Sequence, residues 1–393
     1  IGIGNIAQAS VSLKLSAVVG SDNFKAFGTE VVYIPEGQFY IGDGGTANNH
    51  FAFSDAQGSD IYAPLLITQA IQNAGLGAKT VYQRQSHGSS GDLPSTFPLG
   101  YNAFYIMKYE INQAQYVDFL NSLTVQQQLE IMGDLKNSRP PNSATGTVMK
   151  SYNSSVRIEI VTPGDNTSSY TPAIYGLDAS NDNNFNQDND GFGIPVTLNR
   201  RELLTYLDWT ALRPMTEFEY EKACRGPLTP VMYEKAWGTT SYTNKHGNPT
   251  NYRSSNSYFR TDWDNYLGPN HNVIVRSGID ATSTSNRERS GATFFGVMEM
   301  TGNIAEFAIG GRDGNYSTFT NAPGDGSISQ IAENDSPNWK SQGYIYRGRG
   351  NWNWGNGAER VSNRYGDWKG EINSNYNQDK NVYAIGGRGV RSW

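Results

Sequence analysis

One cysteine, four histidines and two runs of oxygen-bearing or aromatic side chains are the groups in this 393-residue chain that could do chemistry. Cys224 follows Tyr220 and Ala223 at helical spacing, which puts all three on one inner face. A thiol there is a small buried hydrophobe, whereas a reactive one needs an accessible, electropositive setting. His50, His87, His246 and His271 are scattered through Gly/Asn/Ser-rich stretches. They lack the spacing of a metal-binding triad and read as exposed loop residues. Asn186-x-Asp188-x-Asp190-Gly191 has oxygen ligands at alternate positions and a glycine where a calcium loop bends, with Asp178 and Asp182 nearby. Position twelve of such a loop would be Thr197 instead of glutamate, so an EF-hand proper is excluded. A solvated Asn/Asp turn is the other reading.

The second run lies between 344 and 385, where Tyr346, Trp352, Trp354, Tyr365, Trp368, Tyr376 and Tyr383 stand among Asn, Gly and Arg. Rings that stack beside amides and guanidinium groups that hydrogen-bond make a sugar- or peptide-binding surface. Trp354, Asn356, Glu359, Arg360, Arg364 and Trp368 are the candidate ligand-binding residues, and many of the other rings must be core. Glu359, Arg360 and Arg364 are also the groups an unfamiliar enzyme could use. No Gly-x-Ser-x-Gly, phosphate-binding or dinucleotide-binding motif stands at a strand–helix junction.

The elements that must position these groups can be placed by period and punctuation. Val11, Leu13 and Leu15 alternate with Ser12, Lys14 and Ser16, the pattern of a half-buried strand over 11–18. Residues 31–42 predict two short strands around a Pro-Glu-Gly turn, and Phe104–Met107 a third strand. A first helix is capped by Asn112, with Gln115 answering and Tyr116, Phe119, Leu120 and Leu123 on one face. A second runs through Leu203, Tyr206 and Leu207. A third starts at Thr216, with Glu219 three residues on, and stops at Gly226. From 227 onward helix signals nearly vanish, and no fixed period marks a solenoid or propeller.

Composition sets the limits. Charged residues are only 17%, aromatics 12% and glycines 43, so the chain is loop-rich and must use rings to fill its core. A net charge of −6 argues against nucleic acid as a partner. No apolar segment approaches the ~20 residues of a membrane span. One cysteine excludes an internal disulfide framework. The chain opens Ile1-Gly2-Ile3-Gly4 without methionine, which a cleaved secretory signal would explain, as would a start left out of the numbering. With the Asn/Tyr/Gly/Ser-rich composition, this points to a secreted or cell-surface protein.

Six blocks appear in one order: Ile34–Phe39; Met107-Lys108-Tyr109-Glu110-Ile111 leading to Tyr116 and Phe119; Pro195-Val196 through Tyr206 and Trp209; Arg213–Gly226; Phe295–Phe307; and the glycine–arginine endings Gly348–Trp352 and Gly387–Arg391. Together they resemble the formylglycine-generating, or sulfatase-modifying factor, family. The resemblance implies an α+β domain of the C-type-lectin-like kind, irregular and loop-rich, with a few helices and short antiparallel strands. It divides the chain into an N-terminal strand segment, 1–29, and a domain, 30–393, with insertions at 43–100 and 126–195. The family's Asn-x-x-Glu element holds a structural calcium, which the resemblance assigns to Asn303 and Glu306; the other reading pairs Glu306 with an arginine such as Arg349.

The family's oxidases carry two cysteines just after the Gly-Gly-Ser-Tyr/Trp block, where soft sulfur holds Cu(I). Here that stretch, Trp352–Arg360, has no cysteine, histidine or methionine. Copper is therefore not expected, and the expectation is a catalytically silent member that works by self-association or by binding a surface partner or a glycan. The strand at 11–18 is expected to pair with a sheet edge of another subunit, the alternative being an ordinary strand of its own domain.

Overall fold

The computed structural model describes residues 27–47, 50–54, 60–69, 80–83, 96–133, 140–152, 156–178, 182–186, 192–241, 249–250, 258–259, 274–310, 319–336, 339, 343–348, 357, 359–364 and 385–392. The strand expected at 11–18 lies outside them, as do Asp188, Asp190, Trp354, Asn356 and Trp368.

Three helices form where cap and period coincide. They are α1 (Gln113–Ser122), capped by Asn112; α3 (Arg200–Trp209), capped by Asn199; and α4 (Glu217–Arg225), capped by Thr216. Each has the full reciprocal capping box, the cap side chain on the backbone three residues on and that residue's side chain returning to the cap. Such a cap is worth about 1 kcal/mol. Between α1 and α3 lies α2 (Val125–Gly133), a helix the sequence reading assigned to an insertion. α4 ends at Gly226, whose φ is +63° and where a Cβ would collide with the Phe294 ring.

Ten strands build the sheets that matter here: β1 (Val31–Ile34), β2 (Phe104–Met107), β3 (Val148–Tyr152), β4 (Val156–Thr162), β5 (Ile174–Leu177), β6 (Arg213–Pro214), β7 (Ala305–Ile309), β8 (Tyr344–Arg347), β9 (Ile385–Gly386) and β10 (Gly389–Ser392). The first sheet has the order β1-β2-β10-β6. It places Ile34 opposite Phe104 and Val390 opposite Ile106, so the two ends of the domain share one sheet. A second sheet, β8-β7-β9, pairs Glu306 with Arg347 on one side and, in parallel, with Gly386 on the other. Phe39–Ile41 pairs with Leu65–Ile67 instead of with β1, so the two strands expected around Pro35-Glu36-Gly37 belong to different sheets. The chain is thus α+β, with few helices, short and mostly antiparallel strands, and many turns.

Two apolar clusters fill the interior. The larger one packs α1 on α3 through Tyr116, Phe119, Tyr206 and Trp209, with the Phe119 and Trp209 rings 5.3 Å apart. Residues 126–195 are more than a surface insertion, because Ile158, Ile160, Tyr175 and Leu177 of the β5-β4-β3 sheet are fully buried in this cluster. Lys150 of β3 adds a buried ion pair, its Nζ 2.8 Å from both carboxylate oxygens of Glu202. The smaller cluster lies beneath the first sheet and contains Ile34, Phe104, Ile106, Tyr220, Ala223, Cys224 and Val390. Among the described residues no helix is long and apolar enough to cross a membrane.

Every residue of α4 is buried, its charged ones included. Lys222 donates to the Tyr101 carbonyl at 2.9 Å and lies over the rings of Phe39 and Phe104. Burial pushes its pKa down to about 8. The unfolded chain binds this proton up to its ordinary pKa of 10.5, so the penalty is fully present below pH 8 and is relieved as pH rises toward 10.5. Lys222→Met should therefore remove a rise in unfolding midpoint that the parent chain shows between pH 8 and 10, as read by denaturant titration.

Candidate functional site

The helical spacing of Glu217, Glu221 and Arg225 stacks three charges along one side of α4. Across from them, β8 brings Arg347 and the turn at 359–364 brings Arg364. Arg364 donates from Nε and Nη2 to the two oxygens of Glu217 at 2.6 and 2.9 Å. Arg347 bridges Glu217 (3.3 Å) and Glu221 (2.6 Å), and its guanidinium lies 4.8 Å from the Tyr220 ring centroid. Arg225 reaches Glu221 and Glu234 and donates to Ser362 Oγ at 2.6 Å. The result is a ladder, Arg364–Glu217–Arg347–Glu221–Arg225–Glu234, with charges alternating and none of the six more than 3% exposed.

Arg364, expected on a ligand surface, is thus an internal strut. Glu359 is buried as well; it accepts the Gly357 N–H at 3.1 Å and lies near Lys235. Arg360 is half-buried, its guanidinium 4.2 Å from the Tyr233 ring centroid. Glu359 and Arg360 both lie near Lys235, whereas Arg364 is turned to Glu217. His50 was expected in an exposed loop, but it is 1% exposed, 3.3 Å from Asp43 through Nδ1 and edge-on to Tyr233. Cys224 is fully buried, and burial pushes its thiol up to about 12.

A second charged pocket lies where β2, β7 and the chain's last turn meet. Arg388 binds both oxygens of Glu306 at 2.6 and 2.8 Å and donates to the carbonyls of Met107, Lys108 and Met298. Asn303 closes on Val275, accepting its N–H and donating to its carbonyl, each at 3.1 Å. Both expected calcium ligands are therefore taken up by protein partners, and Glu306 pairs with Arg388 in place of Arg349. The same pocket holds carboxylate oxygens that lack a partner: Glu110 Oε1 and Glu299 Oε2. Their other oxygens accept from Ser277 Oγ (2.8 Å) and Gly278 N–H (2.7 Å). Burial raises the pKa of both, that of Glu299 to about 8, and the charges of Glu299 and Glu306 disfavour ionisation of Glu110 further. Glu299 lies within the block Phe295–Phe307, but no spacing in the sequence marks it as a site residue. Its φ of +53° marks a special turn that sequence alone does not show.

At the other acidic loop, the Asn186 amide oxygen accepts the Leu177 N–H at 3.0 Å, while Asp178 accepts from Asp182 and Asn183. These residues form a hydrogen-bonded Asn/Asp turn, while Asp188 and Asp190 lie outside the described residues. A further acidic group, Asp208, Asp325 and Asp335, is brought together by Asp208 accepting the backbone N–H groups of the other two.

Removing one partner from a buried ion pair costs about 3–5 kcal/mol because it strands a charge. Arg347→Met should lower the stability of the chain by about that amount in equilibrium unfolding.

Compared with known protein families, residues 19–376 match the Sulfatase-modifying factor enzyme 1-like domain. No curated protein matches the chain.

Proposed function

The chain belongs to the sulfatase-modifying factor enzyme 1-like family, and from that premise we propose that it is a catalytically silent member acting as a secreted or cell-surface structural module that associates with itself. One observation carries this reading. The only thiol in the sequence, Cys224, is sealed in the core with its pKa pushed up to about 12. The stretch where the family's oxidases carry their cysteine pair contains none. Of the charged groups that could have offered a substitute, Glu359 and Arg364 are engaged inside the domain and Arg360 lies over the Tyr233 ring. Long polar sequence, absence of disulfides and a core held by rings and ion pairs suit a surface protein that works by contact. Incubated with thiols and sulfatase-derived peptides, the chain should consume no oxygen above background, with or without copper. Copper-dependent consumption would overturn the proposal.

In place of Asn303 and Glu306, to which the resemblance assigns a structural calcium, the ion fits Glu110 and Glu299, whose buried oxygens lack a hydrogen-bond partner among the described residues. They would hold it as hard anionic donors, and the ion would neutralise a pocket in which Arg388 already serves Glu306. Calcium should raise the unfolding midpoint of the parent chain, and Glu299→Gln should abolish that rise. A midpoint indifferent to calcium in the parent would remove the ion from the account.

A further inference from the structure

The first sheet ends at β1, and its outer side has no neighbouring strand among the described residues. β1 reads Val-Val-Tyr-Ile, with Val31 40% and Tyr33 47% exposed. Edge strands are ordinarily blunted by a lysine, a proline, a bulge or a covering loop. None of the first three falls within 31–34, and proline appears only at Pro35, after the strand has ended. On this side Val32 and Phe295 pack against the smaller apolar cluster while only half-buried. An apolar, β-prone edge of this kind is a template for strand addition.

The sequence contains a segment of matching character. Val11, Leu13 and Leu15 alternate with Ser12, Lys14 and Ser16, the pattern of a strand with one apolar and one polar face. Twenty-six residues precede the first described one, Phe27, and the chain between Phe27 and β1 runs along the helical side of the domain. The Phe27 ring lies 5.0 Å from Trp209, Thr29 accepts from Gln115 at 3.2 Å, and the Glu30 carbonyl accepts from Lys108 at 2.9 Å. For its own 11–18 to lie beside β1, the chain would have to double back from that side within residues 19–26. A second molecule meets no such demand.

We propose that the open edge of β1 receives residues 11–18 of a second copy of this chain, so that each molecule lends a strand to the next. The arrangement rests on the self-association proposed above and names its interface. It is head-to-tail: donor segment and acceptor edge are different surfaces, so the contact repeats along a polymer unless a ring closes it.

The test uses two full-length variants, Lys14→Cys and Tyr33→Cys, purified separately, mixed and mildly oxidised. Cys224 is buried and stays silent. The mixture should give a disulfide-linked pair on a non-reducing gel. A chain carrying both substitutions should give a ladder of multimers. The exposed Thr229→Cys, used in place of Tyr33→Cys, should cross-link to neither. Leu13→Asp should shift the parent's oligomers to monomers by light scattering without moving its melting curve. A double variant that cross-links only within one chain would overturn the proposal in favour of a hairpin. No cross-link from a parent that is still oligomeric would overturn the β1 interface but leave self-association standing. A parent that is monomeric at every concentration would remove both.

Discussion

The buried charge ladder on α4 is the constraint that the rest of the domain has to satisfy. Glu217, Glu221 and Arg225 are carried into the interior by a helix with no exposed face, and buried charges are tolerable only when paired and hydrogen-bonded. Their partners come from far along the chain: Arg347 from β8, Arg364 and Ser362 from the turn after it, and Gly42, just past the strand Phe39–Ile41, whose N–H donates to Glu221 at 2.8 Å. Each partner can satisfy its charge in one position only, so the ladder fixes where four separated segments must lie. Rings close its flanks, with Arg364 4.7 Å from the centroid of Phe51.

The Arg388 pocket does the same work at the other end of the smaller cluster. Its guanidinium joins β7 to three carbonyls from two other segments, and it enters from the turn between β9 and β10. The two arrangements differ in charge balance. The ladder has three arginines and three glutamates, whereas Glu110 and Glu299 are in excess at Arg388. A balanced network gives rigidity, and an unbalanced one invites a proton or a cation.

Much of the fold was legible because local signals were complete. Asn112 with Gln115 and Thr216 with Glu219 mark helix starts, and Gly226 marks an end, all without tertiary information. The site was far less legible. Glu217 and Glu221 look like ordinary solvated helix charges until their long-range partners are known, and Arg347 sits in a strand with no motif to flag it. Glu306 was weighed between calcium and an arginine; the partner, Arg388, lies 82 residues away and no spacing predicts it. His50 looked exposed because its neighbours are small and polar, yet Asp43 and Tyr233 enclose it. The strands 31–34 and 39–41 misled for a different reason. A proline–glycine turn resembles a hairpin, but here it hands the chain from one sheet to another.

These charges lock separated segments into a single cooperative unit. Native-state hydrogen exchange measures that directly. The account predicts that the protected amides of 217–225, 344–347 and 361–364 exchange only by global unfolding, with one shared free energy, and that all of them lose protection together in Arg347→Met. Exchange of 344–364 through a separate, lower-energy opening while α4 stays protected would contradict it.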